Sequence, residues 1–367
     1  MESRAAVITE LNRELEIWSV PIPELHPGSV LIRVDAATLC GTDAHRWQGH
    51  IPANEEPFVP GHETCGTIVD MRGDARDILN EPLGIGDRII SSYAHCGHCF
   101  YCRVSRQTTL CENNTNYGVW RPERLMGGCA QYHVFPAGAT LVRVPDALSS
   151  ALAASAACAL RTVVHGFELL GAIASYESVL VLGAGPLGLY ASALARDRGA
   201  RAVYTIGAPA ARVHLAREWG ADDSRDLDTM PSADDRLEWA RAKTNGRGAD
   251  IVINCANSPA FIESMRMVRR GGRVVSIGDS GGPPLALDPA LLFRGIQIRT
   301  VVMAEARHFY EAIAFLAARQ HTYPFERLLT TRFTLENTTE AIRGMAAFRE
   351  IKPVILPNQP AATFTPS

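Results

Sequence analysis

Cys96, Cys99, Cys102 and Cys111 stand in the order C-x2-C-x2-C-x8-C. Close pairs of thiols joined by turns, with a fourth returning, let four thiolates surround one tetrahedral zinc. Four soft, anionic sulfurs leave the ion no open position. The site this spacing predicts is therefore structural, and its metal binding is coupled to folding. A cluster of free thiols or an iron–sulfur site is the competing chemistry for these residues. His95 and His98, interleaved with the cysteines, are read as bystanders.

A second set of metal-binding residue types is spread along the chain. Cys40 opens CGTDAH, His62 and Glu63 stand in PGHETCG, and Cys158 lies in an alanine-rich stretch. A catalytic zinc keeps three protein ligands and one open position, and two cysteines with one histidine is a known set. Cys40 and His62 would supply two ligands and Cys158 a third. Taken singly, such cysteines are more often small buried residues.

The third constellation is glycine-rich. Val179–Leu182 runs into Gly183-Ala-Gly185-Pro186-Leu187-Gly188, and a helical pattern follows. In a strand–loop–helix context this spacing predicts a dinucleotide site. Gly183 serves the tight turn, Gly185 the approach of the pyrophosphate and Gly188 the packing of the helix, whose N-terminus faces the phosphates. An NAD site usually ends its second strand in an acid that binds the adenosine ribose. Here Gly207 occupies that place, and Arg212 follows five residues later. Without the carboxylate a 2′-phosphate is not repelled, and an arginine can pair with it. The balance favours NADP(H) over NAD(H).

The elements that must position these groups fall into two textures. Up to about residue 150 the chain is β-rich: Val30–Val34, Gly66–Met71, Arg88–Ile90 and Leu141–Val144 are short β-branched runs between turn formers. Residues 71–87 read as a surface loop. From the alanine-rich helix at 149–170 onward, strands at Val179–Leu182, Ala202–Ile206, Ile251–Cys255 and Arg273–Ile277 alternate with helices at Pro186–Arg198, Ala210–Trp219 and Phe261–Val268. That alternation predicts a doubly wound parallel sheet. Phe309–Ala318 and Asn337–Phe348 read as further helices, Pro353–Leu356 as a last strand, and the final ten residues as a mobile tail.

Composition limits the alternatives. The chain has 367 residues, 47% hydrophobic and 20% charged, with a net charge of −3. Two globular domains are expected, with neither nucleic acid nor membrane as a partner. No run of about 18 apolar residues and no signal-peptide core is apparent, so a cytoplasmic location is expected. In a reducing compartment nine cysteines favour metal over disulfides.

CGTDAH, PGHETCG, the four-cysteine lobe and the glycine fingerprint, in this order, resemble the zinc-dependent medium-chain alcohol dehydrogenases over about residues 5–356. The resemblance implies an α/β fold: a Rossmann-type doubly wound sheet at 159–302, and a β-rich GroES-like catalytic domain made of 1–158 and 303–367. It implies two zinc ions per chain. Cys40, His62 and Cys158 match the catalytic ligands, and Cys96, Cys99, Cys102 and Cys111 the structural ones. Glu63 matches the acid beside the catalytic zinc, and Asp43 the carboxylate that orients the ligand histidine. Thr42 and His45 match the ends of a proton relay that runs through the nicotinamide ribose. Thr162 and Leu187 match positions near the nicotinamide, and Lys352 a basic position contacting the pyrophosphate.

The lobe departs from the family in one respect, with eight residues between Cys102 and Cys111 where seven are common. Residues 150–160 contain no acid, which fits the Cys-His-Cys set of alcohol dehydrogenases better than the glutamate ligand of polyol dehydrogenases. The expected activity is interconversion of an alcohol with an aldehyde or ketone, by a homodimer or homotetramer paired through a strand such as Ile296–Met303. A zinc-free quinone or enoyl reductase would lack both cysteine sets, and a non-catalytic dinucleotide-binding protein would have no use for them. The substrate pocket is expected among segments holding Trp47, Ser92, Tyr93, Trp120 and Cys129.

Overall fold

The computed structural model describes residues 1–51, 57–114, 121–278 and 285–360. Trp120 and the last seven residues of the tail lie outside them. By contacts the chain divides into two units. One comprises Met1–Arg161, Ala304–Gln320 and Phe325–Ser367; the other comprises Thr162–Met303 and His321–Pro324.

The first unit is built on a sheet of seven strands. Its order is Leu329–Phe333, Lys352–Ile355, Val30–Thr38, Glu63–Met71, Arg88–Ser91 and Leu141–Arg143, with Tyr132–Phe135 added beside Val30–Thr38. Val30–Thr38 carries the sheet because it pairs antiparallel with three neighbours. Its β-branched and small residues suit a strand enclosed on most sides. Ile32, Val34, Ile68, Ile89 and Phe58 pack beneath the sheet with at most 2% exposure. A separate hairpin pairs Glu2–Val7 with Glu16–Pro21. Residues 71–87 are not wholly a loop: Ala75–Arg76 and Pro82–Leu83 pair within them.

The strand ends do the positioning. Thr38 and Glu63 face each other where Val30–Thr38 pairs with Glu63–Met71, and Val354 pairs with Thr38. Lys352, two residues before Val354, therefore reaches the same end of the sheet. The alanine-rich stretch forms one apolar helix, Ser150–Leu170, whose most apolar window is 78% buried inside the protein. That burial fits a core helix. It is not uniform: a π-helical turn covers Ala156–Leu160. Such single-turn bulges are frequent at functional sites, and this one carries Cys158.

The second unit holds six parallel strands in the order Asp223–Asp226, Ala202–Gly207, Ser178–Leu182, Ala249–Asn254, Val268–Ser276 and Gln297–Thr300. Ser178–Leu182 is buried at every position, as a central strand covered on both faces must be. Helices Pro186–Asp197, Ala210–Glu218, Ala233–Lys243 and Ser258–Met267 connect the strands. Residues His321–Pro324, expected with the first domain, cluster with this unit, where the Tyr323 hydroxyl donates to the Ala193 carbonyl at 3.2 Å.

Candidate metal centres and dinucleotide site

Cys40 is the N-cap of a short helix, Gly41–Trp47. An N-cap side chain ordinarily accepts from the first free backbone N–H groups. Here the acceptor is sulfur: Thr42 N–H donates to Cys40 Sγ at 3.3 Å. Asp43 closes the motif, accepting the Cys40 N–H on Oδ2 at 3.0 Å. Its other oxygen, Oδ1, accepts the Gly61 N–H at 3.1 Å and lies 3.3 Å from His62 Nδ1. One buried carboxylate thus ties the loop of Cys40 to the loop of His62. It also leaves His62 Nε2 as the ring atom aimed at Cys40 Sγ, 3.2 Å away. This is how a histidine ligand is oriented and its tautomer set.

Cys158 completes the cluster. Single ligand atoms of Cys40, His62, Glu63 and Cys158 all lie within 4.8 Å of one another. The hydrogen bond from Cys158 drives the Cys40 thiol well below its ordinary pKa, helped by the charges of His62 and Lys352. The same bond, with burial, drives Cys158 well above. Two sulfurs sharing one proton around an imidazole are a site prepared for a cation, because metal binding releases such protons. The donor set fits zinc with an open fourth position.

Glu63 is fully buried, with Thr38 Oγ1 donating to one carboxylate oxygen and Lys352 Nζ lying 2.5 Å from the other. Lys352 is one of only two lysines in the chain. Burial opposes its charge, but Glu63, then Cys40 and Cys158, hold its pKa above the usual value. With 0% exposure its ammonium is paired with Glu63 behind the cluster. The reach of this pair, 289 residues, has no local signal in the sequence.

The lobe is self-contained. Sγ–Sγ distances are 3.6 Å for Cys99–Cys102 and 4.0 Å for Cys96–Cys102 and Cys99–Cys111. A tetrahedron with arms of about 2.3 Å has edges of about 3.8 Å, so the four sulfurs already frame one zinc. None of these cysteines is in a disulfide. Backbone N–H groups of Cys96, Cys99 and Asn113 point at lobe sulfurs at 3.4 Å. Such bonds, that from His98 foremost, pull Cys96 down to about 5. Thr108 and Thr109 anchor the lobe to Glu305, at the start of helix Ala306–Arg319. Sequence reasoning gave no hint of that anchor.

In the second unit the glycine turn has the shape a dinucleotide needs. A Cβ on Gly188 would sit 1.8 Å from the Gly183 carbonyl oxygen, whereas one on Gly185 would meet nothing within 4 Å. Gly188 is thus demanded by packing, while Gly185 faces open space at the N-cap of helix Pro186–Asp197. This is the cradle a phosphate can enter. Pro186, Leu187 and Thr162 are half-buried. Gly207 ends its strand, and a Cβ there would fall 2.5 Å from the Ala184 nitrogen. Packing alone therefore excludes a side chain in this conformation. Arg212 lies in the first turn of Ala210–Glu218 and is 7% exposed.

Of the expected pocket residues, Ser92 and Tyr93 line a cavity of ≈ 20 Å³ with His62, Thr64 and His133. Cys129 is wholly buried in the hydrophobic core of the first unit. Trp47 is a packing residue, its indole N–H donating to the Arg13 carbonyl at 2.8 Å.

The sequence and the structure match known proteins along their length. The alcohol dehydrogenase GroES-like domain family matches residues 26–146, and the zinc-binding dehydrogenase family residues 186–318. The chain is 32% identical to 5-exo-hydroxycamphor dehydrogenase of Pseudomonas putida over 96% of its length and 98% of that protein's. Its structure superimposes on an alcohol dehydrogenase of Thermotoga maritima with a TM-score of 0.90 at 28% identity, covering 98% of this chain and 100% of the other. A zinc-binding dehydrogenase of Sinorhizobium meliloti, bound to NADP, gives 0.84 at 30% identity, covering 97% and 100%. The chain belongs to the zinc-containing medium-chain alcohol dehydrogenase family.

Proposed function

We propose that this zinc-dependent, NAD(P)-dependent dehydrogenase interconverts an alcohol and its aldehyde or ketone with Thr42 and His45 moving the proton, and that it prefers NADP(H). The observation that carries the reading is the convergence of Cys40, His62, Glu63 and Cys158 within 4.8 Å. Cys40, His62 and Cys158 would hold the catalytic zinc, with Glu63 beside them, and Cys96, Cys99, Cys102 and Cys111 the structural one. Bound there, the catalytic metal supplies Lewis-acid polarisation of the alcohol or carbonyl oxygen.

The chain's own residues do the rest. Asp43 fixes the His62 ring so that Nε2 serves as ligand. Lys352 balances the Glu63 charge in a region closed to water. Thr42 takes the alcohol proton at its hydroxyl, and His45 releases it. Reduction runs the same path backwards. The absence of an acid at Gly207, the nearby Arg212 and the NADP-bound structure from S. meliloti support the cofactor preference. A homodimer or homotetramer would pair through Ile296–Met303, a stretch that contains the sheet-edge strand Gln297–Thr300.

Metal analysis tests the first part: two zinc ions per chain are expected, and an active enzyme with no zinc at Cys40, His62 and Cys158 would remove the proposed chemistry. An alcohol and carbonyl screen with both cofactors tests the second. A larger kcat/KM with NADP is expected, and a tenfold preference for NAD would reverse the assignment.

A further inference from the structure

The helix that begins at Cys40 ends in a way that brings a second imidazole onto His45. Gly41–Trp47 is followed by Gln48 as C-cap, and Gly49 turns the chain back with φ +77°. Glycine is the residue that adopts this left-handed conformation without strain. The Gly49 N–H then donates to the Arg46 carbonyl at 3.0 Å and the His50 N–H to the His45 carbonyl at 2.8 Å, a pair of bonds that closes a helix C-terminus. The closure sets the two rings side by side. His45 Nδ1 and His50 Nδ1 are 3.4 Å apart, with ring centroids at 5.7 Å and planes inclined by 42°. His45 is half-buried and His50 exposed.

We propose that His50 is the outlet of the proton path, receiving the proton from His45 and passing it to water. The inference rests on the proposed role of His45 and extends it by one residue. Two Nδ1 atoms can share a hydrogen bond only when one carries a proton and the other a lone pair. His45 that has accepted a proton on Nε2 is a cation with hydrogen on both nitrogens. It transfers the Nδ1 proton to the Nδ1 lone pair of neutral His50. His45 is left neutral with its Nε2 proton, and His50 becomes the cation. His50 then loses its Nε2 proton to a water molecule or to dissolved buffer base. Both rings return to their starting tautomers by exchange with solvent. No electron moves, and one proton leaves for each alcohol oxidised. Because His50 is exposed, buffer reaches it without entering the site.

The test follows alcohol oxidation in the zinc-loaded enzyme, with His45→Gln, His50→Gln and the double variant, at low buffer concentration and with added imidazole. The rate of the hydride step is read by stopped flow with protiated and deuterated alcohol. His50→Gln should slow turnover by about threefold to tenfold, less than the roughly 10²–10⁴-fold of a group that acts on the substrate itself, with KM unchanged and recovery on adding imidazole. The double variant should be no slower than His45→Gln alone, as for two members of one path. A His50→Gln enzyme that keeps full rate in dilute buffer while His45→Gln is slow would overturn the role of His50 alone. If His45→Gln also keeps full rate, the relay itself is overturned. Losses that multiply, without imidazole rescue, would make His50 merely structural and likewise overturn the proposal.

Discussion

The two metal-binding clusters lie in the same unit and are built on opposite plans. The four-cysteine lobe takes all its ligands from residues 96–111 and frames them with its own backbone N–H groups. Thr108 and Thr109 tether it to Glu305, far along the chain. The Cys40 cluster draws from three segments, at 40, 62–63 and 158, and places a buried Glu63–Lys352 pair behind them. A local, closed set of four thiolates can stabilise but offers no position for substrate. A distributed set can leave one position open, but the whole fold must then hold it. The difference separates stability from chemistry.

The largest expected effect breaks the second cluster. Cys40→Ser removes a ligand whose N-cap role serine can keep. Activity should fall by about a thousandfold or more, with zinc dropping from two to one per chain and circular dichroism unchanged. Full activity in metal-free buffer would refute the zinc reading. Next comes the pair behind the site. Lys352→Met leaves the Glu63 carboxylate buried without its cation, a change that typically costs about 3–5 kcal/mol. A second change, Glu63→Gln, should recover much of the stability, and the urea midpoints of the three variants measure it. An unchanged midpoint in Lys352→Met would show that the ammonium does not hold the site. Cys99→Ser should act differently. Zinc again falls to one per chain, but the loss appears as a lower Tm, on the order of 5–10 °C for about 2–3 kcal/mol, while kcat/KM is largely kept. If Cys40→Ser and Cys99→Ser gave the same pattern, the division between the two clusters would be wrong.

The same contrast explains what could be read from the sequence. The lobe is legible because its ligands are neighbours in the chain, and so is the glycine turn between Leu182 and Pro186. Strands of β-branched residues such as Ser178–Leu182 and Ala249–Asn254 are legible because they are buried on both faces. Asp223–Asp226 is not: its sequence DSRD has no apolar residue, and it becomes a strand only by pairing with Tyr204–Gly207 at the edge of the sheet. Helix Ala233–Lys243 shows little apolar periodicity and is announced mainly by Ser232, which caps the N–H groups of Asp234 and Asp235. The Cys40 cluster needed the order of several motifs at once. Lys352 was singled out, but its partner was not, because only the register of Lys352–Ile355 against Val30–Thr38 brings it to Glu63. The π-helical turn at Cys158 also had no signature, since alanine-rich sequence suits regular and bulged helix alike.

The smallest expected effect sharpens the comparison through pH. His133 sits in the strand Tyr132–Phe135, 4% exposed, with its ring centroid 4.6 Å from that of Phe135, and it lines the cavity beside His62. Burial alone pushes its pKa down to about 3. The unfolded chain takes up this proton near the ordinary histidine value of about 6.5, whereas the folded chain does not until far lower pH. The stability tied to a neutral His133 is therefore fully present above about pH 6.5 and is lost as pH falls toward 3. Between pH 7 and pH 5 the loss amounts to about 2 kcal/mol. His133→Asn has no such proton to take up. Urea titrations of both proteins at the two pH values should show the wild type losing about 2 kcal/mol more than the variant. Subtracting the variant removes the acid sensitivity of the lobe thiols and the zinc ligands, which both proteins share. Equal losses would mean that the interior beside His62 admits enough water to solvate an imidazolium. The buried cluster would then be no drier than the half-buried lobe.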